Sequence, residues 1–155
     1  MNAVDVMIGI GSNGRAYSVP VADLPGARGD GSPYTSFINL VPGTQMVSYY
    51  AGSGDDLLLI AMASGNGFLA NVSDMVTRNK AGKSFVGVDE KFEGGDRVLP
   101  LQVVREGMNM VACLSGNGRL LTFEIADLKR LQAGGKGVIL MDLDFKESLQ
   151  SAIAF

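Results

Sequence analysis

A turn recurs along this chain at a nearly fixed spacing, and it constrains the fold more than any other feature. Asn-Gly pairs stand at 13–14, 66–67 and 117–118, offsets of 53 and 51 residues. An acidic residue follows each pair, at Asp23, Asp74 and Asp127, and a glycine recurs at Gly31, Gly82 and Gly135. Coincident landmarks at a period near fifty residues mark a propeller or a related array. Asn-Gly is also the strongest short hairpin signal, because a type I′ turn needs positive φ at both central residues. Gly14, Gly67 and Gly118 are therefore expected to have positive φ.

The runs that flank these turns read as strands. Val4 to Ile10 and Arg15 to Val19 make the first hairpin. Leu57 to Met62 and Phe68 to Val72 make the second; the unbroken apolar run Leu57 to Ala63 suits a strand buried on both faces. Met110 to Leu114 and Arg119 to Ile125 make the third. Each hairpin is followed by a short helical turn (Val21 to Leu24, Ser73 to Val76, Ala126 to Leu131), with Ser73 or Asp74 as a candidate cap. Loops rich in glycine or basic residues come next, at Pro25–Pro33, Arg78–Lys83 and Gln132–Gly137. Third strands are read at Ser36–Leu40, Ser84–Val88 and Val138–Leu143, and fourth strands at Gln45–Tyr50, Val98–Val104 and Ser148–Phe155. Four short strands per repeat predict an all-β, propeller-like array of three four-stranded blades, with units of about 1–48, 49–99 and 100–155.

Composition narrows the function. The chain has 155 residues and no histidine, so a Ser-His-Asp or Cys-His site and a His-ligated metal are excluded. Its one cysteine, Cys113, reads as a small core residue. No basic segment followed by an apolar one opens the sequence, which predicts a cytoplasmic setting. Gly9-Ile10-Gly11-Ser12-Asn13-Gly14 matches a dinucleotide-binding pattern, but the residues after it are strand-like where that pattern requires a helix. The hairpin reading is preferred.

The formal net charge is −3, which counts against strong non-specific binding to nucleic acid. The basic residues nevertheless gather in equivalent loops. Arg28 lies in the first loop, Arg78, Lys80 and Lys83 in the second, and Lys129, Arg130 and Lys136 in or beside the third. On a propeller these loops share one rim, so an acidic chain can still carry a basic edge. The pattern leaves phosphate contact and ordinary surface solvation both open.

Three stretches carry a family likeness: LPGARGDGSP at 24–33, LLLIAMASGNGFLANVSDMVTRNKAG at 57–82, and 115–138 with GGKG in its loop. The chain resembles the C-terminal domain of the A subunit of bacterial topoisomerase IV and, more distantly, that of gyrase. The likeness implies a β-pinwheel that binds and bends duplex DNA on its basic rim and presents a segment for strand passage. The implied DNA-binding residues are the seven loop cations named above. The implied partners are duplex DNA, the N-terminal breakage-reunion domain that precedes such a domain in the same polypeptide, and a separate ATPase subunit. The implied setting is a bacterial cytoplasm, at the nucleoid. The whole would be an ATP-dependent type II topoisomerase. The family's nucleophilic tyrosine follows an arginine, whereas Tyr17, Tyr34, Tyr49 and Tyr50 follow Ala, Pro, Ser and Tyr. No catalytic, cofactor-binding or metal-binding residue is therefore expected here. Two departures stand out. Leu131–Gly137, LQAGGKG, lacks the two arginines of the gyrase basic box, which favours the topoisomerase IV likeness over gyrase-type wrapping. Family domains have five or six blades, so this chain reads as a portion of one. The reading from another class is a propeller-type protein-interaction module.

Overall fold

A computed structural model of the chain describes residues 6–20, 38–40, 42–89, 92, 96–144 and 146–155. The architecture is three antiparallel sheets in succession. The strands are, in chain order, β1 (Val6–Gly11), β2 (Arg15–Pro20), β3 (Met46–Gly52), β4 (Leu57–Ala61), β5 (Asn66–Asn71) and β6 (Lys83–Ser84). They continue with β7 (Gln102–Val104), β8 (Met110–Ser115), β9 (Leu120–Glu124), β10 (Val138–Ile139) and β11 (Leu149–Ala154). The first sheet has the order β3-β1-β2-β6, the second β10-β5-β4-β7 and the third β11-β8-β9. Helix is confined, among the described residues, to α1, Val72–Met75, and a 3-10 turn at Ile125–Asp127.

This order corrects the expectation that each repeat keeps its own four strands. The third strand of the second repeat, read at Ser84–Val88, is the short β6 and pairs with β2 of the first sheet: Arg15 faces Ser84 and Ala16 faces Lys83. The third strand of the last repeat, read at Val138–Leu143, is β10 and pairs with β5 of the second: Gly67 faces Val138 and Asn66 faces Ile139. Each of these two sheets is thus completed by a segment crossing from the next repeat. The third sheet has three strands among the described residues. The third strand of the first repeat lies mostly outside the described residues, as do Asp23, Arg28 and Gly31.

The hairpin turns also differ from expectation. Gly14 donates to the Gly11 carbonyl at 3.0 Å, Gly65 to Met62 at 2.9 Å and Gly118 to Ser115 at 3.0 Å. The positive φ falls on Gly14 (79°), Gly65 (94°) and Gly118 (83°). These are three-residue loops ending in a left-handed glycine, a commoner partner of a bulge than of a type I′ turn. Gly67 is not among the positive-φ glycines and lies inside β5. The string Ser-Gly-Asn-Gly at 64–67 is therefore used two residues out of step with the same string at 115–118. A slip of two residues keeps every side chain on its face, so alternation cannot choose the register. Packing chooses it. A Cβ on Gly67 would stand 2.6 Å from both the Ile60 carbonyl of β4 and Leu140 Cδ1 of the crossing segment, so the two together require glycine there.

Two cores join the sheets. Ile8, Ile10 and Ala16 meet Leu58, Ile60, Met62, Phe68, Phe85 and Val86 between the first and second. Leu59, Ala61 and Leu69 meet Val111, Cys113, Leu140, Met141, Leu149 and Ala152 between the second and third. Strand β4 thus feeds alternate residues into both cores, as its unbroken apolar run predicts. The expected cap at α1 is absent: the N-cap is Asn71, without a side-chain cap bond, and Asp74 lies in the first turn.

Candidate nucleic-acid interface

The loop cations ride on the segments that cross between sheets. After α1 the chain returns to β2, where the Thr77 amide donates to Ser18 Oγ at 2.9 Å and that hydroxyl donates to the Thr77 carbonyl at 2.8 Å. Arg78 and Lys80 follow, both exposed. After the 3-10 turn the chain returns to β5 in the corresponding place. The Leu69 amide donates to the Lys129 carbonyl and the Leu131 amide to the Leu69 carbonyl, each at 2.9 Å. Lys129 and Arg130 are exposed, and the Arg130 guanidinium donates to Asn71 Oδ1. Lys136 is exposed at the end of the same loop.

The crossings are linked to one another. The Asn39 amide donates to the Lys80 carbonyl at 2.7 Å, tying the first repeat to the second crossing. The Gly87 amide donates to the Gly135 carbonyl at 2.9 Å, and the Gly135 amide to the Phe85 carbonyl at 2.8 Å. Lys136 Cγ lies where a Cβ on Gly87 would meet it at 3.0 Å. The structure therefore strings the cations along chained backbone segments.

Two of the expected site residues stand apart. Arg28 is outside the described residues. Lys83 is half-buried, its Nζ donating to the Asp74 carbonyl at 2.8 Å and lying 5.8 Å from the Phe85 ring centroid. That ammonium holds its own crossing in place and is poorly disposed to meet a phosphate. Gly82 also changes partner: its counterpart is Gly137, because both have positive φ and press on the neighbouring strand, at Ala16 or Gly67. The last loop is thus longer than the Gly82–Gly135 match implies.

Charge patterning in loops does not single out Arg15 and Arg119, which lie at the hairpin turns. Arg15 donates through Nε to the Ala81 carbonyl and through a terminal nitrogen to the Gly82 carbonyl, both at 2.9 Å, clasping the incoming crossing. Arg119 holds the corresponding place in the third hairpin but meets no crossing among the described residues. It donates through Nε to Glu147 Oε2 at 3.0 Å, through a terminal nitrogen to the other carboxylate oxygen, and to the Asp142 carbonyl at 2.8 Å. The shared string Asn-Gly-Arg at 13–15 and 117–119 is the signal that would find them.

The acidic residues are partly committed as well. Glu147 is buried, and its carboxyl is lowered from the ordinary 4.5 to about 2, first by hydrogen bonds from Arg119, then by Ser115 and the Asp144 amide, against the opposing effect of burial. Asp96 accepts from the Ser64 amide and hydroxyl, both at 2.9 Å, from the Asp89 amide at 2.7 Å and from the Arg97 amide at 2.9 Å. Both carboxylates pin a hairpin loop. Burial raises the Cys113 thiol to about 11, as befits a core residue.

Comparison with known proteins gives one consistent result. Residues 109–155 match the model of the DNA gyrase C-terminal domain, beta-propeller. The chain is 33% identical over 139 residues to the A subunit of DNA topoisomerase 4 from Escherichia coli strain K12, covering 90% of this chain and 18% of that protein. It is 37% identical over 142 residues to the corresponding Neisseria gonorrhoeae protein, covering 88% of this chain and 18% of that protein. The solved E. coli ParC C-terminal domain superposes with a TM-score of 0.88 at 29% identity, over 99% of this chain and 63% of that one. A crystal structure of the C-terminal domain of DNA topoisomerase IV gives 0.81 at 18% identity, over 100% and 48%, which speaks to the fold alone. The chain thus spans less than a fifth of the length of the curated relatives it matches.

Proposed function

We propose, for a chain related to the C-terminal domain of the topoisomerase IV A subunit, that it is a non-catalytic duplex-DNA-binding element of a type II topoisomerase. The observation that carries this reading is the linkage of the crossings. Asn39 to Lys80 and Gly87 to Gly135 join segments that bear Arg78, Lys80, Lys129, Arg130 and Lys136. Cations spaced along a rigid backbone can follow the phosphates of a duplex, whereas the same charges on independent loops would have to be ordered first. Contacts of this kind position a duplex without reading its bases, so sequence preference should be weak. In the longer protein, the domain would bend DNA and present a segment for strand passage. Its partners there would be a breakage-reunion domain in the same polypeptide and a separate ATPase subunit, within the bacterial cytoplasm.

The test is a fluorescence-anisotropy titration against a labelled duplex at two salt concentrations. Reversing charge at Arg78, Lys80 and Lys136 together should weaken binding and reduce the salt slope by about 2 to 3. Reversal at Lys83 should act mainly through stability, because its ammonium is engaged within the fold. If wild type fails to bind at low salt, or the triple variant binds equally well, the crossings are solvated surface and the protein-interaction reading takes over.

A further inference from the structure

Arg119, Arg15 and Arg130 are held by the fold in three different ways. Arg119 is paired with the Glu147 carboxylate, which cancels its charge. Arg15 spends two of its donors on the Ala81 and Gly82 carbonyls. Arg130 makes a single side-chain bond among the described residues, to Asn71 Oδ1, and no ion pair with any of them. It is exposed, so four of its five N–H groups and its whole charge remain for an outside ligand.

Both ends of that bond are fixed. The backbone of Arg130 is bridged to Leu69, whose amide donates to the Lys129 carbonyl and whose carbonyl accepts from the Leu131 amide, each at 2.9 Å. Asn71 is half-buried and ends β5, and its Nδ2 donates to the Asp55 carbonyl at 3.3 Å. With the amide turned this way, its oxygen faces the guanidinium, and only the oxygen can accept from an arginine. Asn71 also stands at the N-cap of α1, where a side-chain oxygen ordinarily accepts from an amide of the first turn, and it makes no such bond. The oxygen serves Arg130 in place of the helix.

The corresponding residues of the other two hairpins are unsuited to this. Glu124 ends β9 and precedes the 3-10 turn as Asn71 precedes α1, but a carboxylate there would cancel the charge it held. Pro20 ends β2 and has no side-chain acceptor. Resting on the DNA-binding reading above, we propose that Asn71 is a positioning residue of the candidate interface: it pre-orders the Arg130 guanidinium for a backbone phosphate of the duplex without neutralising it. A flexible cation loses rotamer freedom when it meets a phosphate, and a tethered one has lost it already. Arg130 should therefore contribute more to binding than Lys129, its equally charged and exposed neighbour.

Anisotropy titration of the whole chain against a labelled duplex at two salt concentrations tests this. Asn71→Ala should weaken binding about two- to tenfold and leave the salt slope unchanged, because no charge is removed. Arg130→Ala should weaken binding further and lower the slope by about 1; Lys129→Ala should lower the slope equally with a smaller loss of affinity. Adding Asn71→Ala to Arg130→Ala should change nothing more. In the free chain, 15N relaxation should find the Arg130 Nε–H group rigid in wild type and mobile in Asn71→Ala. Wild-type affinity in Asn71→Ala, an equal loss from that substitution with and without Arg130, or an Arg130 side chain equally mobile in both chains would each overturn the positioning role. A wild type that fails to bind at low salt is a separate result, which overturns the DNA-binding reading and the positioning role with it.

Discussion

Strands β5 and β9 follow equivalent turns and carry similar apolar residues, yet their surroundings are opposite. Gly67, Phe68 and Leu69 in β5 are all buried, whereas their counterparts Leu120, Leu121 and Thr122 in β9 are all exposed. Phe68 is fully buried and packs at 5.8 Å from the Phe85 ring; Leu121 is 41% exposed. The difference does not lie in the hairpins. It lies in the next repeat, which sends Leu131 and β10 across β5 and sends nothing across β9 among the described residues. In this architecture a strand acquires its burial from its successor.

Truncation should break the symmetry most clearly. Phe68→Ala removes a fully buried ring and should cost about 3–5 kcal/mol. Leu121→Ala should cost about 1 kcal/mol or less, since water already reaches that side chain. Urea unfolding of both variants checks the contrast; equal losses would mean that β9 is covered in solution.

The turn glycines should give the next largest effect. Gly14→Ala combines an unfavourable positive φ with a clash against the Val86 carbonyl, and should cost about 3 kcal/mol or more. Gly118→Ala meets no neighbour, so only the backbone strain of about 1 kcal/mol remains. Gly67→Ala should be severe for steric reasons without any φ penalty. Thermal melts of the three variants separate strain from contact.

Acid sensitivity should be smaller and belongs to the third sheet. The Glu147 carboxyl is held at about 2 in the folded chain against an ordinary 4.5. Its contribution is complete above about 4.5 and is lost as pH falls toward 2. Glu147→Gln should therefore be less stable than wild type near neutrality, and the difference should shrink through that window. A difference that is constant with pH would show that the Arg119 contact adds nothing electrostatic.

The smallest effect concerns Cys113. Its thiol lies in the core between the second and third sheets, so native alkylation should be slow and limited by opening of the third sheet. Thr122→Pro should change that rate little, whereas Arg119→Ala, which frees Glu147, should speed it.

Much of this was legible in the residues. The hairpins and the two-faced burial of β4 follow from alternation and turn chemistry, signals that act within ten residues, and the repeat and the position of the basic loops follow because the same local signals recur about every fifty residues. The choice between Gly65 and Gly67 as the turn residue was not legible, since a two-residue slip preserves alternation. A side chain at 67 is blocked from both sides, by the Ile60 carbonyl of the same hairpin and by Leu140, which arrives from more than seventy residues away. The candidate interface divides in the same way. Arg78, Lys80, Lys129, Arg130 and Lys136 were visible as a recurring charge pattern. That Lys83 braces its own loop, and that Arg15 grips the crossing, depends on backbone carbonyls whose direction no sequence pattern reports.

The sequence by itself determined the class of fold and the number of hairpins, because alternation and turn residues are local and the chain repeats them. The tertiary structure alone decided which strand completes which sheet. A two-residue strand such as β6 or β10 has almost no propensity of its own, and it becomes a strand only because the edge of the preceding sheet is there to pair with it.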